Sequence, residues 1–251
     1  MTDPGYSEKR LYDMHSHLIP GVDDGASSMG EAIRLLEMEY AQGVRGLLLT
    51  PHFRRGMFET PSEVIRERFL ALRQEAASRY PDIELFLGWE YHANQRISED
   101  LRKSKDFRIH DSDYVLIEFS AGDNQKYVIN QLRELMTMDL IPIIAHIERF
   151  PMIVKDTSFL ETLKKNGVLF QVNADSVIGK EGFWQKRCCG RLLRDNMVDF
   201  IGSDAHDCED RIPRIGECYN YLVKKLGKET AERIMFRNPE TILKGTDYGD
   251  Q

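Results

Sequence analysis

No stretch of this 251-residue chain approaches the ~18 consecutive apolar residues that a membrane-crossing helix needs, so no part of it is expected to insert into a bilayer. The first ten residues are polar and lack the apolar centre of a signal peptide. Positive charge is in deficit: 34 Lys and Arg stand against 41 Asp and Glu, a net charge of -7. A surface of that sign repels a phosphate backbone, which argues against general nucleic-acid binding. Cysteine is scarce, with only Cys188, Cys189, Cys208 and Cys218. None has zinc-ribbon spacing, and none is expected to sit in a Cys-x5-Arg phosphate loop. A disulfide framework and a cysteinyl-phosphate mechanism are therefore not expected, and the chain reads as a reduced, cytoplasmic protein whose thiols pack. Linkers, repeats and low-complexity tracts are missing too. That leaves one domain, 11–251, behind a polar extension, 1–10.

What is present is a regular alternation. Apolar strand-like runs at 11–14, 44–50, 83–88, 114–119, 141–145, 168–172 and 198–201 are separated by helical segments. Ser27 or Ser28 opens the first helix, with Glu31 placed for a capping box to Ser28, and Gly43 stops it. Further helices are expected at 61–79, 97–105, 125–138, 159–166 and 183–196, and closing ones at 215–226 and 229–237. Alternation of this kind implies a mainly parallel sheet with right-handed crossovers. Seven units in this length favour a closed or nearly closed α/β barrel over an open, doubly wound sheet.

Chemistry gathers where those strands end. In a strand, residues two apart share a side, so His15 and His17 would aim two imidazoles at one point. Any two histidines two apart match that pattern, so the pair gains meaning only from its company. Asp24 follows the first strand, His52 the second, Glu90 the third, Glu118 ends the fourth, His146 follows the fifth, and Asp204 with His206 follows the seventh. In a parallel barrel these ends lie on one face, where barrel active sites form. Five of the seven histidines fall there; His92 lies near the same rim, and His110 reads as surface. Nine N and O ligands exceed what one ion takes, so two or three ions sharing carboxylates are expected, of manganese, iron or zinc. Clustered cations of this kind clamp a phosphate-like oxyanion and activate water. Arg149 and Arg211, just beyond ligand positions, suit bidentate phosphate contacts. Arg54 and Arg55, after His52, are further candidates to meet an anionic substrate.

The segments His15-Ser16-His17, Asp23-Asp24-Gly25, Thr50-Pro51-His52, Gly88-Trp89-Glu90, His146-Ile147-Glu148-Arg149 and Ser203-Asp204-Ala205-His206 resemble the PHP (polymerase and histidinol phosphatase) family. Within it the chain is most similar to the manganese-dependent protein-tyrosine phosphatases of the CpsB/CapC type, encoded with capsule and exopolysaccharide genes. The resemblance covers about 14–211. It implies a distorted seven-stranded barrel and a trinuclear site. His15, His17, Glu90 and Asp204 would hold one ion, Glu90 with Glu118 and His146 a second, and Asp24, His52 and His206 the third. It implies Arg149 and Arg211 as phosphate ligands, and as partner the tyrosine-rich tail of a membrane-associated autokinase. Asp24 and Glu118 stand where other branches often carry histidine, which favours the tyrosine-phosphatase branch. His146-Ile147 departs from the expected His-Pro, a change to the turn and not to a ligand.

The expected activity is thus phosphotyrosine hydrolysis by metal-activated hydroxide. A small-molecule phosphatase, such as one for histidinol phosphate, is the second reading. The leaving group separates them: a phenolate, with conjugate-acid pKa ~10, departs with little help, whereas an alkoxide demands a general acid that the sequence does not offer. The third reading, a non-catalytic metal-binding module, fits a complete ligand set poorly.

Overall fold

The computed structural model describes residues 10–103, 106–110 and 112–245. The expected extension therefore lies outside the described residues except for Arg10, which pairs with Glu84 at 2.6 Å. Residues 104–105 of the expected third helix also lie outside them.

The chain forms a single α/β domain around a curled sheet. Its elements run β1 Leu11–Ser16, α1 Met29–Ala41, β2 Val44–Leu49, β3 His52–Phe53, α2 Ser62–Arg79, β4 Glu84–Leu87, β5 Glu90–His92 and α3 Ile97–Lys103. Then come β6 Tyr114–Glu118, α4 Gln125–Met136, β7 Ile141–Ile144, a 3-10 turn Ile147–Arg149, α5 Pro151–Val154 and α6 Thr157–Lys165. The chain continues with β8 Leu169–Asn173, α7 Ala174–Ile178, α8 Phe183–Arg194, β9 Phe200–Gly202, α9 Ile215–Leu226 and α10 Lys228–Glu232. A π-helical stretch Arg233–Arg237 leads into the last helix, α11 Asn238–Lys244.

Every strand pairing is parallel. The strands lie in two ladders, β1-β2-β4 and β3-β5-β6-β7-β8-β9. The second and third expected strands are each split in two. Pro51 has no N–H to give the ladder, so pairing stops before it and resumes at His52. The break in the neighbouring chain falls alongside, at Gly88-Trp89. Hydrogen bonds from Gly88 N–H to Leu49 O (2.9 Å) and from Glu90 N–H to Pro51 O (3.1 Å) carry the two ladders past it. At the far side, Asp204 N–H donates to His15 O at 2.8 Å and His17 N–H to Ala205 O at 2.9 Å, so the chain after β9 lies against the end of β1.

The period-two pattern divides the core. Leu47, Leu49, Leu85, Leu87, Ile117, Ile144, Phe170, Val172 and Ile201 face outward into the larger apolar cluster shared with the helices. Tyr12, Met14, Leu48, Leu116, Ile143, Leu169 and Phe200 face inward into a second cluster, closed at one end by Ile242 and Leu243 of α11. Four inward columns begin with an apolar residue and end with a polar one, two or four residues on. Leu48 leads to His52, Leu116 to Glu118, Leu169 to Gln171 and Asn173, and Phe200 to Asp204. The apolar interior is the floor of the polar site.

Helix α1 shows how closely local chemistry follows sequence. Ser28 caps it, its Oγ accepting the Glu31 N–H at 3.3 Å. Glu31, however, reaches back to Ser27, accepting its N–H at 2.9 Å, and not to Ser28. The reciprocal box is thus shifted by one residue.

Candidate metal centre

All nine predicted ligands meet at the polar end of the inward columns. Their donor atoms form four overlapping groups: His15, His17 and Asp204; His15, Glu90 and His146; His52, Glu90 and Glu118; and His17, Asp24, His52 and His206. Glu90 is central and fully buried. Its Oε2 lies 3.2 Å from His15 Nε2, 3.4 Å from His17 Nε2 and 2.9 Å from His52 Nδ1, and its Oε1 lies 2.7 Å from His146 Nε2. Asp24 Oδ1, half exposed on the loop after β1, lies 3.4 Å from His52 Nε2 and 3.6 Å from His206 Nε2.

Backbone shape aims these groups. His146 and Asp204 both have positive φ, 28° and 55°, a conformation that costs a non-glycine residue energy and persists where its surroundings hold it. Gly25 allows the Asp23-Asp24 loop to close on His17, since a Cβ there would lie 2.1 Å from His17 O.

The supporting residues are ones that the sequence did not single out. Gln171 Oε1 accepts His15 Nδ1–H at 3.2 Å, and Asp23 Oδ2 accepts His17 Nδ1–H at 2.8 Å. With both Nδ1 atoms committed, the Nε2 atoms of His15 and His17 meet at 3.1 Å, close enough to share a proton or to ligate one ion. Beyond their ion-pair contacts, the buried Glu90 Oε2 and His206 Nε2 have no hydrogen-bond partner. This donor set of imidazoles and carboxylates, with outer partners fixing the tautomers, fits divalent transition-metal ions.

The electrostatics agree. Burial would push His15 and His52 down, yet the Glu90 carboxylate beside both pushes each up to about 9. Against its own burial, Glu90 is held well below the usual carboxylate range by His15, His52 and His146. Burial and the Glu90 charge raise Glu118. Burial and the neighbouring His17 lower His206. A cluster that in this form relies on protonated imidazoles to neutralise its carboxylates can rely on metal cations instead.

Neither predicted phosphate arginine stands free. Arg149 Nη1 donates to Asp204 Oδ2 at 2.9 Å, and Arg211 Nη2 pairs with Asp204 Oδ1 at 2.9 Å. Glu181 steadies Arg149 through Nη2 at 2.7 Å. Asn173 Nδ2 adds a 2.9 Å bond to Asp204 Oδ2. Beneath the site, Asp13 accepts N–H bonds from His15 (3.2 Å) and Ser203 (2.7 Å). Glu39 of α1 is buried against it, and burial with the Asp13 charge raises Glu39 well above the usual carboxylate range. His92 sits two residues past Glu90 and is hydrogen-bonded to Ser120 Oγ at 3.0 Å, outside the four groups. His110 is exposed, as expected.

The exclusion of a phosphate loop does not follow from the absence of the spacing. Cys-x5-Arg spacing does occur, at Cys188 with Arg194 and at Cys208 with Arg214. Neither pair builds a phosphate loop. Cys188 lies within α8, where the backbone N–H groups serve the helix, and burial pushes its thiol up to about 11. After Cys208, the N–H groups of Glu209, Asp210 and Arg211 are already taken by Asp207 Oδ1, and Arg214 is paired with Asp175. A thiolate nucleophile has no place in either setting.

Comparison with known proteins points the same way. The family model described as capsular polysaccharide synthesis, CpsB/CapC, matches residues 11–244. The tyrosine-protein phosphatase CpsB of Streptococcus pneumoniae is 32% identical over 238 residues, covering 93% of this chain and 98% of the relative. The tyrosine-protein phosphatase YwqE of Bacillus subtilis is 28% identical over 234 residues, covering 93% and 92%. A solved structure from the work on YwqE and CpsB, described as unique metal-dependent tyrosine phosphatases, superposes with a TM-score of 0.86 at 28% identity over 94% of this chain and 95% of the other. A match of this extent, on a chain whose predicted ligands converge as described, makes the protein a member of the CpsB/CapC capsular polysaccharide synthesis family.

Proposed function

We propose that this chain is a metal-dependent protein-tyrosine phosphatase whose nine-residue cluster holds two to three divalent ions, manganese foremost, with iron or zinc as alternatives. The observation that carries the reading is the overlap of four ligand groups on the shared residues His15, His17, His52 and Glu90. Separate ions could not use these ligands independently. His15, His17, Glu90 and Asp204 would hold one ion, Glu90 with Glu118 and His146 a second, and Asp24, His52 and His206 a third. In the same reading, β2 with β3 and β4 with β5 are two interrupted strands of a distorted seven-stranded barrel, with 11–251 as one catalytic domain.

Bound ions supply Lewis acidity and an activated water. The protein does the rest. Glu90 and Asp204 set the spacing of the site from buried, fixed positions. Arg149 and Arg211 present planar forks at its edge, suited to phosphate oxygens. A tyrosine phenolate needs no dedicated acid to leave, which suits a site whose carboxylates are engaged with histidines and arginines.

The substrate is the phosphorylated tyrosine-rich tail of a membrane-associated autokinase of capsule or exopolysaccharide export, a reading supported by the family and by the names of the relatives. Among the described residues no helix is long and apolar enough to cross a membrane. The four cysteines are all free, which accords with a reducing cytoplasm. The test is turnover of a phosphotyrosine peptide by metal-stripped protein, with Mn, Fe, Zn or Mg added back singly. Activity restored by a transition metal is the expected result. Absence of turnover with every metal would overturn the reading.

A further inference from the structure

The inward columns do not end at the metal ligands. Two residues past His52 is Arg54, two past Glu90 is His92, and two past Glu118 is Ser120. The register sets His52 beside Glu90 and Phe53 beside Tyr91, and His92 beside Glu118. Two residues along a strand advance about 6.6 Å. Arg54 and His92 therefore stand one step beyond His52 and Glu90, with His92 level with Glu118 and Ser120 one step beyond Glu118. A cavity of about 380 Å³ opens there, lined by these three together with Asn94, Asp123 and Tyr127.

The charges of this cavity are unevenly used. Arg55 is spent on the buried Asp100, which also accepts the Tyr91 hydroxyl at 2.6 Å. Asp123 Oδ2 accepts the Ser120 N–H at 2.8 Å. His92 Nε2 lies 3.0 Å from Ser120 Oγ, and burial with the nearby Arg54 lowers its pKa. Among the described residues, nothing pairs with the guanidinium of the partly buried Arg54. Tyr127 is held as a wall by Phe119, edge to face at 6.5 Å between centroids.

We propose that this cavity is the aryl subsite, which receives the phenyl ring of phosphotyrosine against Arg54 and Tyr127. The inference rests on the phosphatase reading above. In phosphotyrosine a single oxygen joins phosphorus to the ring. A ring whose phosphate is held in the ligand layer must therefore stand one layer out, where the cavity lies. A planar guanidinium suits the face of that ring. It also sits where negative charge grows: as water oxygen bonds to phosphorus, the P–O(aryl) bond breaks and its electron pair passes to the phenolate oxygen. A cation beside that oxygen favours the step. Water supplies the proton that the phenolate finally takes, so the products are phosphate and tyrosine. Arg54 thus makes the site prefer aryl leaving groups.

The test compares Arg54→Gln and Tyr127→Ala with the wild type, all with the same metal loaded and metal content measured. Substrates are phenyl phosphate and two phosphotyrosine peptides, one flanked by alanine and one by aspartate. Inorganic phosphate serves as a ringless inhibitor of the same cluster. Arg54→Gln should lower kcat/KM about 10- to 100-fold on all three substrates alike, while Ki for inorganic phosphate moves less than about threefold. Tyr127→Ala should raise KM for phenyl phosphate about five- to tenfold and leave that Ki in place. Equal changes in Ki and kcat/KM would put Arg54 on the phosphate. A loss confined to the aspartate peptide would mean that the cavity reads an acidic neighbour. Either result, or no change in both variants, overturns the subsite. A wild type inactive on every aryl phosphate overturns the phosphatase reading instead, so the two failures are distinguishable.

Discussion

Asp23 ties two ligand segments together: its Oδ2 accepts Nδ1–H of His17 at 2.8 Å and, through the same oxygen, the backbone N–H of His52 at 2.9 Å. One carboxylate thus fixes the tautomer of the first ligand and the position of the second. Its own pKa is lowered although burial opposes this, because His17 holds the charge. Asp23→Ala should weaken metal affinity about 10- to 100-fold while leaving the fold in place, as loss of an outer partner does elsewhere. Metal titration of the stripped variant checks this. Affinity and activity equal to wild type would show that the His17 tautomer does not depend on Asp23.

Glu90 and Asp24 are both carboxylates in the candidate ligand set, and the structure ranks them. Glu90 is fully buried and within 3.4 Å of four histidines. Asp24 has a side-chain exposure of 50% and approaches His52 and His206. Glu90→Ala should therefore lose most bound metal and about a thousandfold or more in turnover, and Asp24→Ala about 10- to 100-fold with one ion lost. Elemental analysis beside kinetics measures both. Near-normal metal content in Glu90→Ala would remove it from the ligand set.

Glu39 carries a pH prediction. Its folded pKa is raised by burial and by Asp13, so the folded state holds a proton that the unfolded chain releases above about pH 4.3. Stability from this group is therefore full at low pH and declines as pH rises from there toward the raised folded value. Glu39→Gln replaces a neutral acid with a neutral amide and should flatten that decline, by up to about 1.4 kcal/mol per pH unit. Urea melts of wild type and variant at matched metal content, from pH 5 to pH 8, give the slopes. Parallel slopes would show that Glu39 is ionised in the fold.

The ligand set was legible because it obeys a local rule. Most ligands stand at or just past a strand end, and the period of two sends His52, Glu90, Glu118 and Asp204 inward. His15 and His17, by contrast, are out of step with Tyr12 and Met14 where the β1 register shifts, and His146 follows the outward Ile144 and has positive φ. The outer partners were not legible, because no local rule connects them. Gln171 meets His15 across 156 positions of sequence, and Asn173 meets Asp204 across 31. A polar pair two apart in an otherwise apolar strand, Gln171-Val172-Asn173, is the one signal that could have marked them. The splits in the second and third strands were hidden as well. Pro51 was visible, but its cost to pairing depends on which neighbour lies alongside. From the sequence, Arg149 and Arg211 suit phosphate contacts; their shared contact with Asp204 follows from the loop geometry after β7 and β9 and is not legible there.

That shared contact sharpens the last prediction. Arg149 and Arg211 hold opposite oxygens of Asp204, each at 2.9 Å, and Asn173 also donates to Oδ2. If the arginines served only Asp204, removing one would act through metal binding, and Asn173 would compensate for Arg149 but not for Arg211. If they grip phosphate, each alanine variant should keep its metal and lose about 2–4 kcal/mol of transition-state stabilisation, roughly 30- to 1,000-fold in kcat/KM. Lysine should recover part of this, since a point charge cannot reproduce the fork. Glu181→Ala should fall between wild type and Arg149→Ala, because it steadies the guanidinium without touching Asp204 at hydrogen-bond range. Kinetics on a phosphotyrosine peptide, with metal analysis of the same preparations, decides the matter. Retained metal with a change below fivefold in both alanine variants would leave phosphate binding to the metal cluster alone. Metal loss in parallel with activity would make the arginines supports of Asp204 and not ligands of the substrate.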